Sequence, residues 1–295
     1  MKKALSTAFG VLALALAAAA TLRAQQPVSS DPVLVGAGDI ADCKSLGPAE
    51  KTANLLEHIE GTVFTLGDDA YENGTPKQFA NCYGPTWGRF KARTRPVVGN
   101  HEYGTAFAGG YFDYFGAAAG DPTKGYYSYD LGKWHVIVIN SNCAQVGGCK
   151  VGSPQEQWLR QDLAAHPLPC TLAMWHHPRF SSGEHGDDRS MHDVWKALYE
   201  ANADVVLSGH DHDYERFAPQ DADSKADPAR GIREFVVGTG GRHLYRWGQK
   251  DPNSEVKDNA TFGVLKMTLH DDRYDWEFIP IEGESFRDSG SAKCH

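Results

Sequence analysis

DVVLSGHDHDYER, residues 204–216, joins two kinds of sequence within a few positions. Its first half is a continuous apolar run, the pattern of a strand buried on both faces between helical layers. At Gly209 the run turns polar and places His210 and His212 just past the strand end. Alternate residues of an extended segment point to opposite sides, so both rings reach one cluster only if the backbone bends, and Gly209 would permit that bend.

The same join recurs upstream. PVLVGAG (32–38) runs into Asp39, and TVFTLG (62–67) into Asp68 and, three residues on, Tyr71. RPVVGN (95–100) ends at Asn100 and continues into His101 and Glu102, while TLAMW (171–175) is followed by His176 and His177. WHVIVIN (134–140) and REFVVGTGG (233–241) are further short apolar runs. Helical patterns cover 48–59 and 191–201, and Ser153-Pro154-Gln155-Glu156 reads as a capping box with Pro in the first turn, opening a helix through Ala165. Residues 262–279 read as a hairpin turning at Asp271-Asp272, and the polar stretches 219–230 and 249–260 as surface loops. With no internal repeat and no linker, residues 25–295 form one α/β domain, expected to be a layered α/β/β/α sandwich.

Ligand sites of open α/β sheets lie at the carboxyl ends of the strands. Strand ends supplying Asp39, Asp68 with Tyr71, Asn100 with His101, His176, and His210 with His212 therefore converge. Taken singly, Gly-Asp after a strand is an ordinary turn or cap, and a lone His there an ordinary solvated side chain. Taken together and in order they match a pair of metal ions: a carboxylate bridges both, and imidazoles and an amide oxygen fill the remaining positions. Such pairs clamp and hydrolyse phosphate esters.

The motifs GDI (38–40), GDDAY (67–71), GNHE (99–102), WHHP (175–178) and GHDHDYER (209–216) resemble those of the calcineurin-like metallophosphoesterases, most closely the purple acid phosphatase branch. Tyr71, the YER after the last motif and QWLRQDL (157–163) support that branch, and the resemblance runs from about Val33 to Gly241. It implies that Asp68 bridges two metals, with Asp39, Tyr71 and His212 completing one site and Asn100, His176 and His210 the other. It further implies Fe(III) at the first site and a divalent Zn, Fe or Mn ion at the second. His101 and His185 match the family's outer histidines, which position substrate and protonate the leaving group. The implied activity is hydrolysis of phosphomonoesters by a metal-activated hydroxide; a phosphodiesterase or nucleotidase on the same fold, and a metal-binding protein without turnover, are the alternatives. One departure is Ala41, where the family usually has Gly in GDxG, which implies a changed loop geometry around Asp39.

Other residues read more plainly. His177 reads as the neighbour of a ligand with its ring turned away, Glu102 as a cap or outer partner, and Gly238–Gly241 as a tight strand exit from which Arg242 and His243 are candidates to face substrate. Trp134, Trp158, Trp175 and Trp195 are expected to pack the sheet and its helices.

Lys2 and Lys3 precede an Ala/Leu-rich run to about Ala20, with a cleavage position at Ala24: residues 1–24 read as a signal peptide. The run is short and weakly apolar against the ~20 residues a membrane span needs, so export to a periplasm or beyond is expected, with no membrane anchor after cleavage. Loss of Lys2, Lys3 and Arg23 takes the net charge from −9 to −12, a balance unsuited to gripping nucleic-acid backbone but open to small phosphate esters if bound cations reverse the local field. The six cysteines lack Cys-x-x-Cys spacing and suit disulfides rather than zinc. Cys143 and Cys149 flank a short loop; Cys43 with Cys82 and Cys170 with Cys294 would complete a set, although other connectivities are open.

Overall fold

Two sheets lie face to face, and their parallel cores follow from where the apolar runs fall. In a computed structural model that describes Met1 and residues 31–295, the chain forms β1 (Val33–Ala37), β2 (Ala41–Asp42), α1 (Gly47–Leu56), β3 (Thr62–Thr65), β4 (Ala70–Tyr71), α2 (Pro76–Gln78), β5 (Thr94–Arg95), α3 (Gly109–Phe115), β6 (Tyr127–Leu131) and β7 (Trp134–Val138). It continues through α4 (Pro154–Ala165), β8 (Cys170–Met174), α5 (His192–Glu200), β9 (Val205–Ser208), β10 (Tyr214–Phe217), β11 (Arg233–Val237), β12 (Ser254–Asp258), β13 (Gly263–Leu269), β14 (Arg273–Pro280) and β15 (Ser289–Lys293). The signal peptide expected over 1–24 lies outside the described residues. Among the described residues no helix is long and apolar enough to cross a membrane.

The six-stranded sheet runs β15-β14-β13-β1-β3-β5 and the seven-stranded sheet β12-β10-β11-β9-β8-β7-β6. β1, β3 and β5 are parallel, as are β7, β8, β9 and β11. Alternation along the second sheet sorts its side chains into two cores. Val136, Leu172, Met174, Val205, Leu207, Phe235 and Val237 join Leu34, Val63, Leu265 and Met267 of the first sheet between the layers. Ile137, Ala173, Val206 and Val236 face the other way, onto Leu159 of α4 and Val194, Trp195 and Leu198 of α5. α1 buries Ala49, Thr52, Ala53 and Leu56, one face at helical spacing, and contacts β13. The order of layers is the expected α/β/β/α sandwich. Trp134, Trp175 and Trp195 are fully buried within it, while Trp158 packs at the edge of the helical core.

Local differences have local causes. Of RPVVGN only Arg95 is in a strand, the two-residue β5, because Pro96 has no N–H to extend the ladder; Val97 resumes one bond, to the Thr65 carbonyl at 3.2 Å. The Ser153 capping box does not form. Ser153 Oγ has no partner, and the Glu156 carboxylate turns instead to the Gly152 amide at 2.9 Å. A capping box does form at Thr75 and Gln78. Within the expected loop 249–260, β12 pairs with β10 as an edge strand, whose open flank tolerates a polar sequence. The C-terminal hairpin is β13–β14, with Leu269 opposite Tyr274. The cysteines form Cys43–Cys82, Cys143–Cys149 and Cys170–Cys294.

Candidate metal centre

Three of the loops that follow parallel strands leave the sheet through an abrupt backbone turn. Asp39 (φ 61°), Asp68 (φ 53°) and His210 (φ 71°) are all left-handed, a conformation that costs a non-glycine residue roughly 1 kcal/mol or more. The loops sustain it by bonding to one another. Asp39 N donates to the Gly67 carbonyl at 3.0 Å, Ile40 N to Asp68 O at 3.0 Å, and Arg242 N to Asp39 O at 2.8 Å. Ala41, the departure from GDxG, is buried in the short parallel pairing of β2 with β4, which ties the Asp39 loop to the Tyr71 loop. The bend that brings His210 and His212 together is at His210 itself. Gly209 serves a different need: a Cβ there would lie 2.7 Å from Asp39 Oδ2.

The converging side chains form two adjoining groups. In one, Tyr71 Oη lies 2.9 Å from Asp39 Oδ1 and 3.1 Å from His212 Nε2, and those two are 3.3 Å apart. In the other, His176 Nε2 lies 2.9 Å from Asn100 Oδ1 and 3.2 Å from His210 Nδ1. Asp68 adjoins both: its Oδ2 is 3.3 Å from His176 Nε2, and with Asp39 and His176 it forms a compact ligand cluster. All seven residues are thus brought together.

This donor set fits metal ions. His176 Nδ1–H donates to the Leu66 carbonyl at 2.7 Å, and His212 Nδ1–H to the His243 carbonyl at 2.7 Å. Both rings are therefore oriented by backbone, with Nε2 lone pairs turned inward toward carboxylate, amide and phenol oxygens. Lone pairs facing lone pairs call for a cation between them. The proton equilibria show the same demand. Burial opposes charge on His176, yet Asp68 and Asp39 push it up to about 10. Burial likewise opposes ionisation of Asp68, but His176 and His101 outweigh it and hold that carboxyl well below the usual range.

Around this core sit the expected outer residues and several that the sequence did not reveal. His101 Nδ1–H donates to the Glu72 carbonyl at 2.6 Å, its backbone N–H donates to Asp68 Oδ1 at 2.9 Å, and its Nε2 is 3.7 Å from Asp68 Oδ2. The His185 ring stacks on His210 with centroids 4.4 Å apart, and the backbone N–H of His185 donates to the buried Asp211 at 2.9 Å. Glu102 is the hub of the Asp68 loop: its buried carboxylate accepts from the amides of Asp68 (2.9 Å), Asp69 (2.9 Å) and Gly99 (2.8 Å). Burial and the nearby Asp68 push it up to about 7. His177 does not turn away; its ring packs 4.4 Å from His210 and bonds Ser141 Oγ at 2.8 Å. Tyr245 stacks on His212 at 3.7 Å, a role no motif announced. Arg242 lies over the Tyr71 ring and pairs with Asp42 at 2.6 Å and Glu72 at 3.2 Å. His243 contributes its carbonyl to His212.

Comparison with known proteins points to one family. Purple acid phosphatase 22 of Arabidopsis thaliana is 27% identical over 279 residues, covering 83% of this chain and 59% of its own length. A nucleotide pyrophosphatase/phosphodiesterase of Hordeum vulgare is 24% identical over 265 residues, covering 75% of this chain and 69% of its own. Probable inactive purple acid phosphatase 27 of Arabidopsis is 25% identical, covering 77% and 42%. The chain spans 59% of the length of the first two Arabidopsis relatives it matches. Among solved structures, a purple acid phosphatase from yellow lupin (Lupinus luteus) seeds shares the fold with a TM-score of 0.72 at 20% identity, covering 89% of this chain and 54% of that one. GAP50, the anchor in the inner membrane complex of Plasmodium, shares it at 0.70 and 12% identity, covering 90% of both. The Calcineurin-like phosphoesterase family matches residues 28–214, more than half of the sequence, and the chain belongs to that family.

Proposed function

We propose that this protein is a metal-dependent phosphatase acting on small phosphomonoesters. The observation that carries the reading is the pair of adjoining donor groups with Asp68 next to both, the His176 and His212 rings each held by a backbone carbonyl so that the free nitrogen faces inward. Asp39, Tyr71 and His212 would hold one ion and Asn100, His176 and His210 the other, with Asp68 shared. Two ions there would supply an acidified water as nucleophile and neutralise the phosphoryl oxygens.

The first group is the more oxygen-rich and suits the harder ion. Burial, then Asp39 and Asp68, push the Tyr71 phenol well up, so only a strongly acidifying cation would ionise it. We assign Fe(III) to that position and a divalent Zn, Fe or Mn ion to the other, a reading that the oxygen-rich donor set of the first group supports. His101 is oriented through Nδ1, which leaves Nε2 to contact a phosphoryl or leaving oxygen. His185, positioned through Asp211, delivers a proton to the departing alkoxide as a general acid. The three disulfides suit an oxidising compartment, and we place the protein outside the cytoplasm after removal of residues 1–24.

The barley relative named as a nucleotide pyrophosphatase/phosphodiesterase favours a second reading, hydrolysis of diesters or nucleotides on the same site. The test is turnover of a chromogenic phosphomonoester beside its diester, with and without chelator. Chelator-sensitive turnover that favours the monoester is expected. Preference for the diester would replace the first reading with the second, and no turnover of either by protein holding two metals would overturn both.

A further inference from the structure

Strands β7 and β8 run parallel with Val138 beside Met174, so the residues just past their ends, Ser141 and His177, come side by side. His177 directly follows the expected ligand His176, yet both rings join one cluster. Their planes stand at 79° with centroids 4.9 Å apart, and His177 also packs 4.4 Å from His210. A ring nitrogen of each of His176, His177 and His210 lies within 4.8 Å of the other two. Proximity alone would make His177 a further metal ligand. What stands behind its ring argues otherwise.

A backbone carbonyl can only accept, so the carbonyls of Leu66 and His243 fix the protons of His176 and His212 on Nδ1 and leave each Nε2 a lone pair. His177 is backed by a hydroxyl instead. Ser141 Oγ accepts the backbone N–H of His177 at 3.0 Å and lies 2.8 Å from His177 Nδ1. It is buried, and among the described residues Nδ1 is the one acceptor within reach of its proton. The hydroxyl therefore donates to Nδ1, because the opposite arrangement would strand that proton in the interior. A neutral imidazole whose Nδ1 accepts carries its own hydrogen on Nε2. That Nε2 makes no hydrogen bond among the described residues and is not sealed in the interior. Beside rings that turn lone pairs inward, His177 thus presents an N–H, which cannot ligate a cation and suits an anion.

We infer that His177 is a substrate-binding donor, fixed by Ser141 in the Nε2–H form to grip a phosphoryl oxygen of an anion held beside Asn100, His176 and His210. The inference rests on the phosphatase reading for the identity of that anion but not for the position of the proton.

Two measurements on the diamagnetic zinc-loaded protein decide it. The first is nitrogen-15 NMR of the histidine rings, with His177 assigned by its absence from His177→Gln. His177 is expected to be protonated on Nε2, and His176 and His212 on Nδ1, while Ser141→Ala should release His177 into a mixture of both forms. The second is affinity for inorganic phosphate by calorimetry, beside metal analysis. His177→Phe, which keeps a ring against His210 and removes the donor, is expected to bind phosphate about tenfold or more weakly with both metals retained. His177→Gln, which restores an N–H, is expected to recover most of that loss. Protonation of His177 on Nδ1, loss of a metal from His177→Phe, or phosphate affinity in that variant within about twofold of wild type would each overturn the inference. Wild type that binds phosphate but hydrolyses no ester would sink the phosphatase reading and leave the donor assignment standing.

Discussion

Two clusters in this molecule, each centred on buried histidine, are built from nearly the same side chains, yet they are suited to opposite tasks. At the strand ends, His176 and His212 give one ring nitrogen to a backbone carbonyl and keep the other facing inward. Under the β6–β7 hairpin, His135 gives both nitrogens to carboxylates, Asp130 at 2.8 Å and Asp162 at 2.8 Å, and Asp162 also accepts from Ser128 at 2.9 Å. The second cluster has no lone pair left on its buried ring; it is a charge clamp joining β6, β7 and α4. Residue types alone do not separate a metal centre from a salt bridge. What the far side of each imidazole touches does.

That contrast can be broken most sharply at Asp68. Asp68→Ala should lose both bound metals and at least about a thousandfold in turnover while remaining folded; metal analysis beside monoester hydrolysis reads both, and retention of both ions would refute the shared position. Glu102→Ala should cost about 3 kcal/mol in urea unfolding, because the amides of Asp68, Asp69 and Gly99 lose their buried acceptor. A stability equal to wild type would remove Glu102 from its place as hub. Tyr71→Phe should weaken one ion on the order of tenfold or more and leave the other bound, so metal titration should resolve two unequal steps.

The smallest effect belongs to the clamp. His135→Asn should leave metal content and turnover alone and cost about 1–2 kcal/mol at mildly acidic pH. Burial opposes charge on His135, but its bonds to Asp162 and Asp130 prevail and raise its pKa above 6.5. A raised folded-state pKa gives stability that is complete below about 6.5 and lost as pH rises through the higher value. The gap between wild type and variant should therefore be wider at pH 5.5 than at pH 9. A gap independent of pH would mean that the clamp holds by packing rather than charge.

The sequence made the centre legible because chemistry-bearing residues follow apolar runs whose ends the fold gathers. Those runs are buried on both faces, so their composition survives without alternation and their ends stand out. What the sequence left dark depends on backbone geometry or on distant partners. Nothing in GHDH distinguishes a bend at Gly209 from one at His210; only the proximity of Asp39 shows that the glycine is there for space. Glu102 stood in a motif, but its amide partners come from the Asp68–Ala70 loop about thirty residues away and from Gly99. Tyr245 occupies a polar loop that resembles any other until it is seen against His212. The edge strands β12 and β15 were hidden because an edge needs neither continuous apolarity nor strict alternation. Ser153 carried the right signal and still makes no cap.

The bridge from Cys170 to Cys294 has a consequence for the far edge of the molecule. β15 is a polar flap on the six-stranded sheet, and Cys170 begins β8 in the other sheet, so the bond rivets the flap to the opposite layer across 124 residues of sequence. Beside the flap, on the paired strand β14, lie Tyr274 and Trp276, the latter against Gly290, where a Cβ would come within 2.3 Å of the indole. Once a reductant cuts the rivet, the flap is free to unzip from Lys293 toward Ser289 and wet that indole, so a red shift in tryptophan emission would register the loss of the staple before the sheets themselves come apart.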